Sequence, residues 1–159
     1  MLKRITDNLH RQKKGLALLQ TLLEEEFSCL QHRDPRAVAG IEFSIQELLR
    51  QLAMEREILL TLVREMTGED VRLSSVLEQF PAEEGERVRV LLQEIDIQER
   101  SCAAQAGTNA EIAIGVTEQN RSLIAYLQKE LRPKNENTYS RRGRFADPGS
   151  APSMIRGRL

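Results

Sequence analysis

Apolar positions along this chain recur at steps of three and four residues, the spacing of a helix face. A first helix is predicted over residues 6–32, with Leu9, Leu16, Leu19, Leu23, Phe27 and Leu30 on one side. Thr6 or Asp7 is placed to cap its start, accepting from backbone donors that have no partner in a first turn. Gly15 is a weak point, worth about 1 kcal/mol against alanine in a helix interior. Asp34-Pro35 then punctuates. Asp34 is a good N-cap, and Pro35 suits the first helical position, where its missing N–H is not needed. So short a connection makes the second helix antiparallel to the first.

The second helix, predicted over residues 35–67, has the clearest pattern. Val38, Ile41, Ile45, Leu48, Leu52, Leu59, Leu62 and Met66 form a seam in which only Glu55 is polar. Such a seam calls for coiled-coil packing against neighbours. Gly68 is the natural stop, because glycine takes the left-handed conformation cheaply. Residues 69–80 read as a short helix or structured loop anchored by Val71, Val76, Leu77 and Phe80. Pro81 opens a third helix, with Glu83 and Glu84 in the turn where acids are favoured.

That third helix is predicted to reach Arg132. Its seam is Val88, Leu91, Ile95, Gln98, Cys102, Gln105, Asn109, Ile112, Val116, Gln119, Leu123 and Tyr126. Between Gln98 and Asn109 the seam is small or polar, with Gly107 and Gly115 nearby. A kink or weakened packing is expected there, a split into two helices being the alternative. About 50 residues at 1.5 Å each would span roughly 75 Å, against roughly 40–50 Å for the first two helices. An unbroken third helix would therefore overhang them. The expected fold is all-α: an antiparallel bundle of three long coiled-coil-like helices over residues 1–132, a short connecting helix, and a flexible basic tail over 133–159.

Composition sharpens this. Of the 159 residues, 4% are aromatic, none is tryptophan, and 30% are charged, as expected when long helices each keep a solvated face. Residues 132–159 hold seven Arg or Lys against two acids, a net of +5; with an overall net charge of −1, the remaining body is −6. Pro133, Pro148 and Pro152, with Gly143, Gly149 and Gly157, leave the tail too little to bury for folding alone. Cys29 and Cys102 sit in helical patterns without motif spacing and read as reduced thiols. No apolar h-region marks the start of the chain, and no run approaches the ~18–20 apolar residues of a membrane span. A cytoplasmic protein, not inserted in membrane, is expected.

Catalytic constellations are missing. His10 and His32 lie near opposite ends of the first helix, over roughly 30 Å apart if it is straight. Neither belongs to a Glu-x-x-His or His-Glu-x-x-His arrangement, so no metal site is expected. Cys102 has no histidine or electropositive neighbour to make it a nucleophile. Glu24, Glu25 and Glu26 read as a solvated face. The Arg141-Arg142-Gly143-Arg144 cluster could neutralise phosphates. The acidic body would repel a duplex, however, and nucleic acid is not an expected partner. Neither catalysis nor a cofactor is expected.

At the end of the third helix, Asn120, Leu123, Leu127, Leu131 and Pro133, followed by Thr138-Tyr139-Ser140-Arg141-Arg142-Gly143, resemble the C-terminal signature of the FlgN family. The plan is similar too: two long Leu-rich helices, a third near the end, then a polar tail. The resemblance implies a cytosolic chaperone for the two hook–filament junction proteins. Such a chaperone binds their C-terminal helices, prevents premature assembly and delivers them to the flagellar type III export gate. Carried over by position, it assigns substrate binding to Asn120, Leu123, Ile124, Leu127 and Leu131; Ile112 and Val116 join them as apolar residues of the expected overhang. It assigns docking on the cytosolic domain of the export-gate membrane protein to Tyr139 and Gly143. Ser140-Arg141-Arg142 departs from the less basic spacer of that motif. The alternative is a structural coiled-coil adaptor that homodimerises through the second helix's seam.

Overall fold

The computed structural model describes residues 1–131; the expected tail, with Tyr139 and Gly143, lies outside them. In order the elements are α1 (Leu2–Gln31), α2 (Pro35–Thr67), a 3₁₀ helix (Leu73–Gln79) and α3 (Ala82–Glu130). No strand occurs among the described residues. The chain divides into two units, Met1–Glu118 and Gln119–Leu159.

Helix α1 starts a full turn before the expected cap. Met1 precedes it and makes no side-chain cap bond. Thr6 sits within the helix and donates its hydroxyl to the Leu2 carbonyl at 3.2 Å. Apolar contact accounts for the extra turn. Ile5 and Leu9 are completely buried, and Leu2 packs against the core. Burying side chains of this size contributes about 1.5–3 kcal/mol each, more than the ~1 kcal/mol of a good cap.

The next boundaries follow local chemistry. Asp34 accepts from the backbone N–H groups of Arg36 at 3.2 Å and Ala37 at 3.0 Å, and Pro35 takes the first helical position. Gly68 closes α2 at φ 77°, and its N–H donates to the Arg64 carbonyl at 2.8 Å. Arg33 adopts the left-handed conformation, φ 55°, in the connection between α1 and α2. That costs a residue with a Cβ of the order of 1 kcal/mol, and no glycine or asparagine announces it.

Cross-helix partners fix the directions. Arg11 meets Glu55 at 2.7 Å and Arg4 meets Glu65 at 3.8 Å, so α1 and α2 run antiparallel. Lys13 reaches Glu94 at 2.8 Å, and Asn109 donates to the Leu23 carbonyl at 2.8 Å, so α3 returns parallel to α1. The core takes Leu16, Leu19 and Leu23 from α1, Ile45, Leu52, Leu62 and Val63 from α2, and Val88, Leu91, Ile95 and Cys102 from α3. Leu73, Val76 and Leu77 of the 3₁₀ helix close one end. In the α2 seam Ile45 and Leu52 are 6% exposed and Leu62 3%, while Val38, Ile41, Leu48, Leu59 and Met66 are half-buried. At Gly15 the helices approach closely, since an added Cβ would lie 2.7 Å from Leu52 Cδ2.

Helix α3 is a single element of 49 residues and is not split at its polar stretch. Asn109 is 3% exposed and fully engaged. Besides the Leu23 carbonyl, its amide meets Glu26 Oε2 at 2.7 Å, and its oxygen accepts from Gln105 at 2.9 Å. Glu55, the polar position in the α2 seam, is satisfied likewise. The buried Asn8 donates to its carbonyl at 2.9 Å and to its Oε2 at 2.5 Å. Gln12 in turn donates to Asn8 at 2.7 Å. Gln98 Oε1 alone is buried with no hydrogen-bond partner among the described residues.

Candidate functional site

From Thr117 to Leu131 every described residue is exposed. Leu123 is 57% exposed, Ile124 55%, Tyr126 60%, Leu127 46% and Leu131 72%. These are not scattered around the helix. At about 100° per residue, the five fall within an arc of roughly 160°, from Tyr126 at one edge to Ile124 at the other. Gln119, Asn120 and Glu130 lie inside that arc as well. Thr117, Glu118, Arg121, Ser122, Gln128 and Lys129 occupy the remainder with Ala125. The segment is thus amphipathic, with large apolar side chains gathered on one side and exposed to water, which makes it the candidate interaction surface of the described residues.

Of the residues expected to bind substrate, Asn120, Leu123, Ile124, Leu127 and Leu131 therefore share one exposed face. Ile112 and Val116 are half-buried in the first unit. Tyr126 belongs to the exposed face and was not among the expected site residues. Its three-residue step from Leu123 was the available signal, but its place on the seam reads equally as core.

The first unit also holds cavities. An apolar cavity of about 300 Å³ is lined by Leu16, Leu19, Leu23, Ile45, Leu52 and Cys102, among others. Another, of about 500 Å³, is lined by Ser74, Ser75, Glu78, Arg89, Gln93 and Asp96, with Leu77 and Leu92. Among the described residues no group of three or more His, Cys, Asp or Glu is placed to hold a metal ion. Burial pushes the Cys102 thiol above its ordinary range, and the Glu99 carboxylate nearby adds to the effect. At neutral pH Cys102 is a protonated side chain of the core, its Sγ 3.6 Å from the Leu16 carbonyl. His32 is bonded to the Ser28 carbonyl at 2.7 Å, a contact within the last turn of α1. Among the described residues, no helix is long and apolar enough to cross a membrane.

The family model described as FlgN protein matches residues 1–146, a span that includes both the exposed face and the Tyr139–Gly143 segment. No curated protein and no solved structure matches the chain significantly.

Proposed function

The chain belongs to the FlgN family of flagellar export chaperones, and from that premise we propose that it holds hook–filament junction proteins unassembled in the cytoplasm and delivers them to the export gate. The observation that carries this reading is the exposed apolar arc at the end of α3, with Leu123, Ile124, Leu127 and Leu131 between 46% and 72% accessible. An amphipathic helix binds by laying such a face against another apolar surface, with anchors at three- and four-residue steps. Each leucine buried contributes about 1.5–3 kcal/mol, so four or five anchors outweigh the ordering of a partner helix. The substrate segment that suits this face is the C-terminal helical region of the junction proteins, with Asn120 as a polar contact that fixes alignment. Tyr139 and Gly143 would then dock on the cytosolic domain of the gate, a role that rests on the resemblance of their motif.

Co-purification with a junction protein tests the reading. Leu123→Asp with Leu127→Asp is expected to abolish the complex while circular dichroism keeps its helical signal; a complex that survives the double change would refute the substrate role. Tyr139→Ala is expected to leave the complex intact and to impair export.

A further inference from the structure

Where the seam of α3 is small or polar, the bundle holds its apolar cavity of about 300 Å³. Helices α1 and α2 line that space with leucine and isoleucine, whereas α3 supplies Cys102, Ala103 and Ala106, side chains too short to fill it. Its deep walls are enclosed: Leu16, Leu19, Leu23, Ile45, Leu52 and Cys102 are all buried. Arg56 and Glu99 also belong to the lining and pair with each other at 2.5 Å, tying α2 to α3. Both side chains are partly exposed, which puts the pair at the mouth.

These features select an occupant. Water needs two to four polar partners to stay in a cavity, and below the ion pair the side chains are Leu, Ile, Ala and Cys. A charged ligand would set its charge against hydrocarbon, while the charges of Arg56 and Glu99 are already matched. What fits is neutral and apolar. A cavity of about 150 Å³ with walls of this kind admits benzene, so about twice that volume suits one ring or two fused rings. Ligand pockets form between the helices of bundles from about this size, ~300 Å³, upward. We infer that this cavity is a binding site for a neutral, apolar small molecule of one or two rings, held between α1, α2 and α3. Every lining residue lies in Met1–Glu118, so the site is independent of the exposed end of α3 and of the chaperone reading.

Toluene is the probe, added to the full chain and followed by methyl NMR. Saturable shifts are expected at the Leu16, Ile45 and Leu52 methyls, with those of Leu123 and Leu127 unmoved. Only the folded chain has the cavity, so toluene is also expected to raise the melting midpoint. Two variants alter the α3 wall at positions that are exposed and outside the buried core. Ala103→Leu with Ala106→Leu fills the space, and Ala106→Asp places a carboxylate on its wall without filling it. Each is expected to weaken toluene binding by about tenfold or more while circular dichroism keeps its helical signal. Absence of any shift would overturn the site. Shifts that never saturate, or that move Leu123 and Leu127 equally, mean partition onto apolar surface and overturn it too. Unchanged toluene affinity in Ala106→Asp does the same, and that variant decides alone if the bulkier pair fails to fold.

Discussion

At the scale of single residues, polar groups in the seams fall into two classes. Asn8, Glu55 and Asn109 are partnered across helices, and each such hydrogen bond contributes about 0.5–1.5 kcal/mol, more where a charge takes part. Gln98 differs, because its Oε1 is buried with nothing among the described residues to donate to it. A stranded acceptor costs about 1–3 kcal/mol, and an apolar side chain of similar volume removes that cost. Gln98→Leu is therefore expected to raise the urea midpoint, with a gain of about 1 kcal/mol; an unchanged or lowered midpoint would show that the amide is satisfied in solution. The sequence marked Gln98, Gln105 and Asn109 as a weak stretch without distinguishing them. Their difference lies in what α1 brings opposite, a Leu23 carbonyl and Glu26 for Asn109, which no local pattern records.

At the scale of elements, caps decided what could be read. Asp34, Pro35 and Gly68 carry their geometry in their chemistry, and both ends of α2 lie where the sequence placed them. The start of α1 has no such signal. It is set by burial of Ile5, a tertiary effect that displaced the cap expected at Thr6 or Asp7. The left-handed Arg33 was equally hidden. Asp34→Ala is expected to lower stability by about 1 kcal/mol through loss of two backbone hydrogen bonds at the N-terminus of α2. Chemical denaturation checks this, with Asp34→Asn as the variant that keeps the capping oxygen and most of the stability. The candidate site was legible in part. The leucine spacing gave its face, while the inclusion of Tyr126 and the half-burial of Ile112 and Val116 needed the accessible surface of each side chain.

For the whole molecule, the core and the exposed face belong to different units. Among the described residues, every buried apolar residue lies at or before Cys102, well inside Met1–Glu118. A chain ending at Glu118 is thus expected to unfold cooperatively, with a midpoint within about 5 °C of the full chain, and to capture no junction protein. Loss of cooperative melting would mean that residues beyond 118 contribute to the core.

Repeating apolar seams tolerate sliding, because a shift by seven residues brings like against like. In the pairing of α1 with α3, Asn109 removes that freedom. A slip of one heptad in either direction would set Cys102 or Val116 against the Leu23 carbonyl, and neither carries an amide. The asparagine thus works as a vernier, admitting one alignment out of several that greasy contacts alone would accept.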